Sequence, residues 1–341
     1  MRFTRLYILL KPVCSGGPEL AHQLIDYLQK NGKEAYVVYF NEKGVIEDCP
    51  IPEPYKKYNV KIANRIIDSE ENILVLPETF YEYARKYKKI RIVCWWMSVD
   101  NFIKSDLRQQ PIKWYKEKSL FQNFRKIMHV ALWHLPIQRF NIIQYLRDNQ
   151  NRVIHLYQSE YAKQYIISNQ LPNYYPLCDY INPALFPNKP INRADKKDVI
   201  VYNPAKGLEF TIQLIQLLPE YKFIALRGMN RDELNAAFNQ AKLYIDFGNF
   251  PGKDRMPREA AVHDCCIITS RFGAAAYYED VPILDKYKFE AELSNLQIIA
   301  KAIQEVMKNY STLIDDFKGY KEIIYKEQKL FYKEIDSLLL S

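Results

Sequence analysis

The sequence predicts an α/β protein with two doubly wound, Rossmann-like domains, and three observations point there. Short β-rich apolar runs alternate with longer stretches of helical periodicity, the pattern of parallel βαβ units. The alternation stops in a Pro- and Asn-rich segment, 171–197, and then restarts. The length, 341 residues, exceeds what one ordinary core organises. The expected divisions are 1–180, 181–315 and a last helix, 316–341, that crosses back to the first domain. The two lobes are expected to face a cleft, with the C-terminal helices packing across both.

Each element has its own signal. RLYILL (5–10) reads as a buried strand. The helix after it carries Leu20, Leu24, Ile25 and Leu28 at helical spacing and ends at Gly32. EAYVVYF (34–40), NILVL (72–76), IRIVCWW (90–96) and VIHLY (153–157) are the further strands of the first half. Between 97 and 152 the pattern blurs into bases and aromatics, read as one or two inserted helices. Residues 171–197 hold five Pro. Pro cannot enter a helix interior or a central strand, so this is a connector. Beyond it come DVIVYN (198–203), a helix over 208–218, YKFIAL (221–226), a helix over 231–240, KLYIDFG (242–248), a helix over 257–263, CCIIT (265–269) and VPIL (281–284). The tail, 292–341, is helical in pattern.

Composition narrows the function classes. With 48% hydrophobic and 26% charged residues the chain reads as soluble and globular. A net charge of +8 favours anionic partners such as nucleotides, phosphorylated lipids, membrane surfaces or nucleic acid, and ordinary solubility charge explains it equally well. The six cysteines (14, 49, 94, 178, 265, 266) include no C-x-x-C and read as reduced thiols of a cytoplasmic protein. No run approaches 18 apolar residues, and MRFTRLYILLKPVCSGG lacks a cleavage site, so neither a membrane span nor a signal peptide is expected. The five His (22, 129, 134, 155, 263) show no metal-ligand spacing, so no metal is expected.

Three constellations can carry chemistry. Seven of the ten glycines fall at or just after predicted strand ends: Gly16, Gly17, Gly207, Gly228, Gly248, Gly252 and Gly273. Ligands of an open parallel sheet bind there. In PVCSGGPELAHQL (12–24) a strand ends, Gly16-Gly17 turns and Pro18 opens a helix, leaving N–H groups for a phosphate. In VIVYNPAKGLEF (199–210) the strand exits through Asn203, and Lys206 beside Gly207 can meet a diphosphate; a solvated loop Lys is the plain alternative. In GNFPGKDRMPREAA (248–261) a loop bears Lys253 and Arg255, and Pro257 is expected to start a helix with Glu259 in its first turn. There the dipole favours a carboxylate able to bind a vicinal diol; simple dipole compensation is its alternative. TSRFGAAA (269–276) leaves the next strand through Gly273 and Ala274 near the same place. The basic–aromatic segment 113–126 reads either as an interfacial helix on anionic lipid, as a stacking surface for single-stranded nucleic acid, or as an amphipathic core helix.

Stretch 242–283 resembles the donor-binding segment of GT-B-fold glycosyltransferases, nearest to glycosyltransferase family 4. Glu259-Ala260 stands at the second acid of that family's acidic–x7–acidic pattern; Pro251 occupies the first, with Asp254 nearby but out of register. YNPAKG is similar to the family's basic strand-end motif, with Lys206 at its diphosphate-binding Lys and Asn203 near the place of its Arg. SGGPE resembles the Gly-Gly loop facing the donor phosphates. The resemblance implies the GT-B fold and transfer of a sugar from a nucleoside-diphosphate donor to a saccharide or lipid-linked acceptor in surface-polysaccharide synthesis. It implies Lys206, Arg255 and the Gly16-Gly17 turn against the leaving diphosphate without a metal or other cofactor, and Glu259 on the ribose. An inverting enzyme needs a base in the first domain, and Asp100, Glu78 and His22 are the candidates. Peripheral contact with the inner face of the membrane through 113–126 is expected, and a nucleic-acid partner is not. A nucleotide-sugar epimerase on the same fold, or a non-catalytic binder of nucleic acid or anionic membrane, are the alternatives.

Overall fold

A computed structural model describes residues 1–41, 45–46, 49–105 and 141–340. The segment 113–126 lies outside the described residues. The chain forms two compact units. Unit 1 comprises Met1–Gln158, Ala162–Leu177 and Glu334–Ser341; unit 2 comprises Ser159–Tyr161 and Cys178–Lys333.

Unit 1 is built on a six-stranded sheet of β1 (Arg5–Leu10), β2 (Ala35–Tyr39), β3 (Asn72–Pro77), β4 (Arg91–Trp96), β5 (Val153–Tyr157) and β6 (Tyr174–Pro176), in the order β2-β1-β3-β4-β5-β6. Every pairing is parallel. The middle strands β1, β3 and β4 are buried along nearly their whole length, which is why they read as unbroken apolar runs rather than alternating ones. Strand β6 was hidden in the Pro-rich connector. Its three residues are exposed, and Pro176 is tolerated because β6 is an edge strand.

Unit 2 carries a five-stranded parallel sheet of β7 (Lys197–Tyr202), β8 (Lys222–Ala225), β9 (Ala241–Asp246), β10 (Cys266–Ser270) and β11 (Lys288–Phe289), in the order β11-β10-β9-β7-β8. The strand expected at 281–284 is a turn. The Val281 N–H donates to Tyr277 O at 3.2 Å and the Ile283 N–H to Val281 O at 2.9 Å, and Pro282 has no N–H to offer a ladder. Lys288–Phe289 takes the edge instead. The helix Leu296–Lys308 contributes Ile299, Ile303, Val306 and Met307 to a core that includes Leu243, Ile245 and Ile267.

One buried cation closes two helices of unit 2. Lys196 is 7% exposed, and its ammonium donates to the carbonyls of Phe238 (2.8 Å), Ala241 (2.8 Å) and His263 (2.6 Å). These carbonyls lie at the ends of helices Arg231–Gln240 and Arg255–Val262, where backbone acceptors lack intrahelical partners and the dipole is negative. The Cys265 thiol also reaches Phe238 O and Ala241 O at 3.3 Å, as a weaker donor. Lys196→Met keeps the stem and removes the ammonium. It should lower the unfolding free energy by about 2–3 kcal/mol, read as an earlier urea midpoint with unchanged slope.

Candidate functional site

In an open parallel sheet, ligands sit beyond the carboxyl ends of strands where the chain order reverses. In unit 2 the chain passes from β7 to β8 on one side and to β9 on the other, so that point lies between β7 and β9. Three loops meet there. Asn203–Gly207 follows β7 and opens the helix Leu208–Leu217. Phe247–Asp254 follows β9, and Arg271–Ala274 follows β10. The loops are stitched together: the Ser270 hydroxyl donates to Gly248 O at 2.6 Å, and the Ala274 N–H to Phe250 O at 2.8 Å. Gly248 gives the Lys206 stem room to cross, since a Cβ there would lie 2.4 Å from the Lys206 Cβ. Gly273 has φ +62°, and a Cβ would come within 2.1 Å of Phe250 O, so no other residue fits without moving that backbone.

Lys206 is the cation at this point. Its ammonium is ion-paired with Asp254, lies 3.7 Å from Asp246 Oδ2, donates to Asn249 O at 3.1 Å and sits 4.4 Å from the centre of the Phe250 ring. Asp246 ends β9 almost wholly buried and accepts from the Tyr244 hydroxyl (2.9 Å) and the Gly248 N–H (3.0 Å). Burial raises the pKa of both Asp246 and Asp254, with Lys206 opposing. Asn203 also hydrogen-bonds Asp246. Thus Asn203, Lys206, Gly207, Gly273 and Ala274 are brought to one place. Gly228 follows β8 at φ +67° and would set a Cβ in open space, with no atom within 4 Å.

The helix bearing Glu259 begins at Arg255, two residues before the expected start at Pro257. Glu259 therefore lies in its second turn, and the dipole reason for an acid there falls away. Its partner is Arg231, whose Nη1 and Nη2 both donate to Glu259 Oε2 at 2.9 Å. Arg231 opens the next helix over, which Asn230 and Glu233 cap reciprocally. Arg255 is half-buried at the helix start.

Behind this loop lies a closed ionic network. Arg258 is 0% exposed. It donates to Asp179 (3.0 and 2.5 Å), to Glu327 (2.9 Å), to Lys253 O (3.0 Å) and, through Nε, to Asp254 O (3.1 Å). Those contacts match the five donors of a guanidinium. Lys253 joins it, 2.9 Å from Glu327 and 4.0 Å from Asp179. Burial opposes the Lys253 and Arg258 charges, but the two carboxylates outweigh it and hold both pKa values above their ordinary ranges. Lys253, expected on a ligand, is turned inward. Asp246, Arg231 and the network acids were not singled out from sequence; Asp246 alone left a trace, as the acid closing an apolar run.

In unit 1 the corresponding reversal lies between β1 and β3. Gly16 and Gly17 are the first residues of helix Gly16–Lys30 rather than a turn before it. Glu78 follows β3, buried, accepting from the Met97 N–H (3.3 Å) and the Asn101 amide (3.5 Å); burial pushes its pKa up to about 7 despite these bonds. Asp100 is buried on the helix Val99–Ser105 after β4. His22 bridges Pro18 O (2.6 Å) and the Tyr39 hydroxyl (2.7 Å), and burial lowers its pKa, so it ties its helix to β2. All six cysteines are free thiols. Among the described residues no His, Cys, Asp and Glu group is arranged to hold a metal, and no helix is long and apolar enough to cross a membrane.

No family model matches this chain, and no curated protein matches it by sequence. Solved structures match its shape. HepE of Anabaena in complex with UDP is 12% identical with a TM-score of 0.59, each chain covered in full. Sucrose-phosphate synthase of Thermosynechococcus elongatus is 12% identical with a TM-score of 0.61 over 98% of each chain. A glycosyltransferase of Rickettsia africae is 12% identical with a TM-score of 0.52 over 98% of each. The fold is GT-B. At such identities the likeness carries the fold alone, and it agrees with the parallel sheets and strand-end loops described above.

Glu78 gives a test of the site's electrostatics. Its folded pKa of about 7 lies above its ordinary 4.5. Its stabilising contribution is therefore complete below the unfolded value and is lost as pH rises through about 7. Glu78→Gln should match the wild type near the acid end and exceed its stability above neutrality by roughly 3 kcal/mol, measured by urea unfolding at both pH values.

Proposed function

We propose that this protein is a glycosyltransferase that moves a sugar from a nucleoside-diphosphate donor to a saccharide or lipid-linked acceptor, in the synthesis of a surface polysaccharide. The observation that carries the reading is Lys206 at the β7/β9 reversal, beside the start of helix Leu208–Leu217. A helix N-terminus and an ammonium there suit a diphosphate. HepE, a structural neighbour, has been solved with UDP and with UDP-glucose, which supports a donor of that class.

The chemistry follows from charge. Breaking the anomeric bond leaves a phosphate dianion, and groups placed where that charge develops lower the barrier. Lys206 and Arg255 supply cations, and the helix opened by Gly207 supplies N–H groups. Asn203, Gly228, Gly273 and Ala274 border the donor, and Glu259 takes the ribose diol once Arg231 yields. Lys253 serves the scaffold. In unit 1 the helix start at Gly16 and Gly17 offers N–H groups to an anion. Asp100 and Glu78 are the buried carboxyls beyond the β-strand ends, and Glu78 has the pKa that suits a general base near neutral pH. Transfer proceeds in the cytoplasm without a metal, with segment 113–126 resting on anionic membrane.

Calorimetry with UDP and UDP-glucose tests the core of this reading. Lys206→Ala should cut turnover about 100-fold or more while leaving the melting temperature within a few degrees; equal turnover would remove Lys206 from the site. Glu259→Ala should weaken UDP binding about tenfold with the fold intact, and unchanged affinity would release Glu259 from the ribose. Activity should persist in EDTA; a loss that magnesium restores contradicts metal-free transfer. Conversion of a nucleotide-sugar without any acceptor would favour an epimerase instead. Salt-dependent binding to RNA or liposomes without nucleotide affinity would favour a non-catalytic role.

A further inference from the structure

Resting on the donor reading above, we propose that Asp254 is a latch: it holds Lys206 in the empty site, and a donor diphosphate must displace it. The Lys206 ammonium has three donors and is met by Asp254, Asn249 O and, at longer range, Asp246. Two carboxylates thus face one ammonium. A diphosphate arriving on Lys206 would place further negative charge a few ångströms from both, and like charges that close repel strongly where water is partly excluded. One carboxylate has to leave or take a proton.

Asp246 is fixed by the Tyr244 hydroxyl and the Gly248 N–H and its side chain is 0% exposed. Asp254 is held less tightly, its carboxylate paired with Lys206 alone among the described side chains. Its side chain is 21% exposed, and although it occupies the N-cap of helix Arg255–Val262 it makes no capping hydrogen bond. Its backbone is held, because Arg258 Nε donates to Asp254 O, so the carboxylate can swing or be neutralised while the loop stays in place. The groups facing it are Lys206, Asp246, Arg258 and the hydroxyls of Tyr244 and Tyr320. Burial and then Asp246 favour the protonated form, against Lys206 and Arg258. Donor binding is therefore coupled to release of Asp254 or to its uptake of a proton.

The test is calorimetry of UDP-glucose, whose diphosphate diester does not itself titrate near neutrality, on the wild type, Asp254→Asn, Lys206→Met and the double variant. Asn keeps the N-cap preference and removes the charge. Asp254→Asn should bind about tenfold tighter. Wild-type affinity should rise as pH falls toward the raised Asp254 pKa, with binding enthalpy that depends on the buffer, and the Asn variant should lose both effects. The gain should shrink on the Lys206→Met background, since freeing an absent ammonium is worth nothing. Asp254→Ser, also a good N-cap, should repeat the gain if the Asn variant proves unstable. Equal or weaker binding by both variants, where the wild type does bind, overturns the latch. No binding by any of the four overturns the donor reading and the latch with it.

Discussion

The guanidinium of Arg258 is the constraint on which unit 2 depends. It is buried, fully hydrogen-bonded and balanced by Asp179 and Glu327, with Lys253 completing the set. Removing one member of such a network strands a buried charge and costs about 3–5 kcal/mol, although a well-packed apolar replacement of the whole can be as stable. What the network adds here is placement. It joins the connector at Asp179, the C-terminal helix at Glu327 and the backbone of Lys253 and Asp254. The loop that carries the site's acid is thereby set by a core interaction rather than by the loop's own sequence.

That placement explains the balance of charge beyond β7 and β9. Beyond these strand ends one ammonium faces two carboxylates, the buried one bonded to Tyr244 and the Gly248 N–H and the other at a helix cap. Glu259 is likewise answered by Arg231. Of the charges named from sequence as ligand-binding in unit 2, Lys206 and Glu259 each have an internal partner and Lys253 belongs to the scaffold. Lys206 and Glu259 are thus answered from within the fold.

The sheets were legible in the sequence because parallel strands are buried on both faces. RLYILL, NILVL and IRIVCWW appear as apolar runs, and they became β1, β3 and β4 with ends moved by a residue or so. VPIL failed for a reason that hydrophobicity does not reveal: Val281 and Ile283 are buried, but a proline and two local N–H bonds turn the chain. β6 failed in reverse, being exposed and Pro-containing. Glycines at strand ends marked the loops that meet beyond β7, β9 and β10. The ionic partners did not show, because Arg231 and Glu259 are 28 residues apart, and Arg258 and Asp179 79; only the folded chain brings them together. The helix start at Arg255 was missed because Pro257 is equally acceptable near a first turn.

The second unit is not a single stretch of chain, and this bears on how it could be excised. Asp179, Lys253, Arg258 and Glu327 all lie between Cys178 and Lys333, so a fragment with those ends would retain its ionic core. Asp280 would not fare as well. Its carboxylate, whose pKa burial lifts to about 6, accepts the backbone N–H groups of Glu160 (2.7 Å) and Tyr161 (3.0 Å), which come from a three-residue outlier earlier in the chain. A truncation at Cys178 would leave that acid inside the fragment without its donors. A domain-swap or split-protein design should therefore carry Ser159–Tyr161 along, or replace Asp280 with a neutral residue.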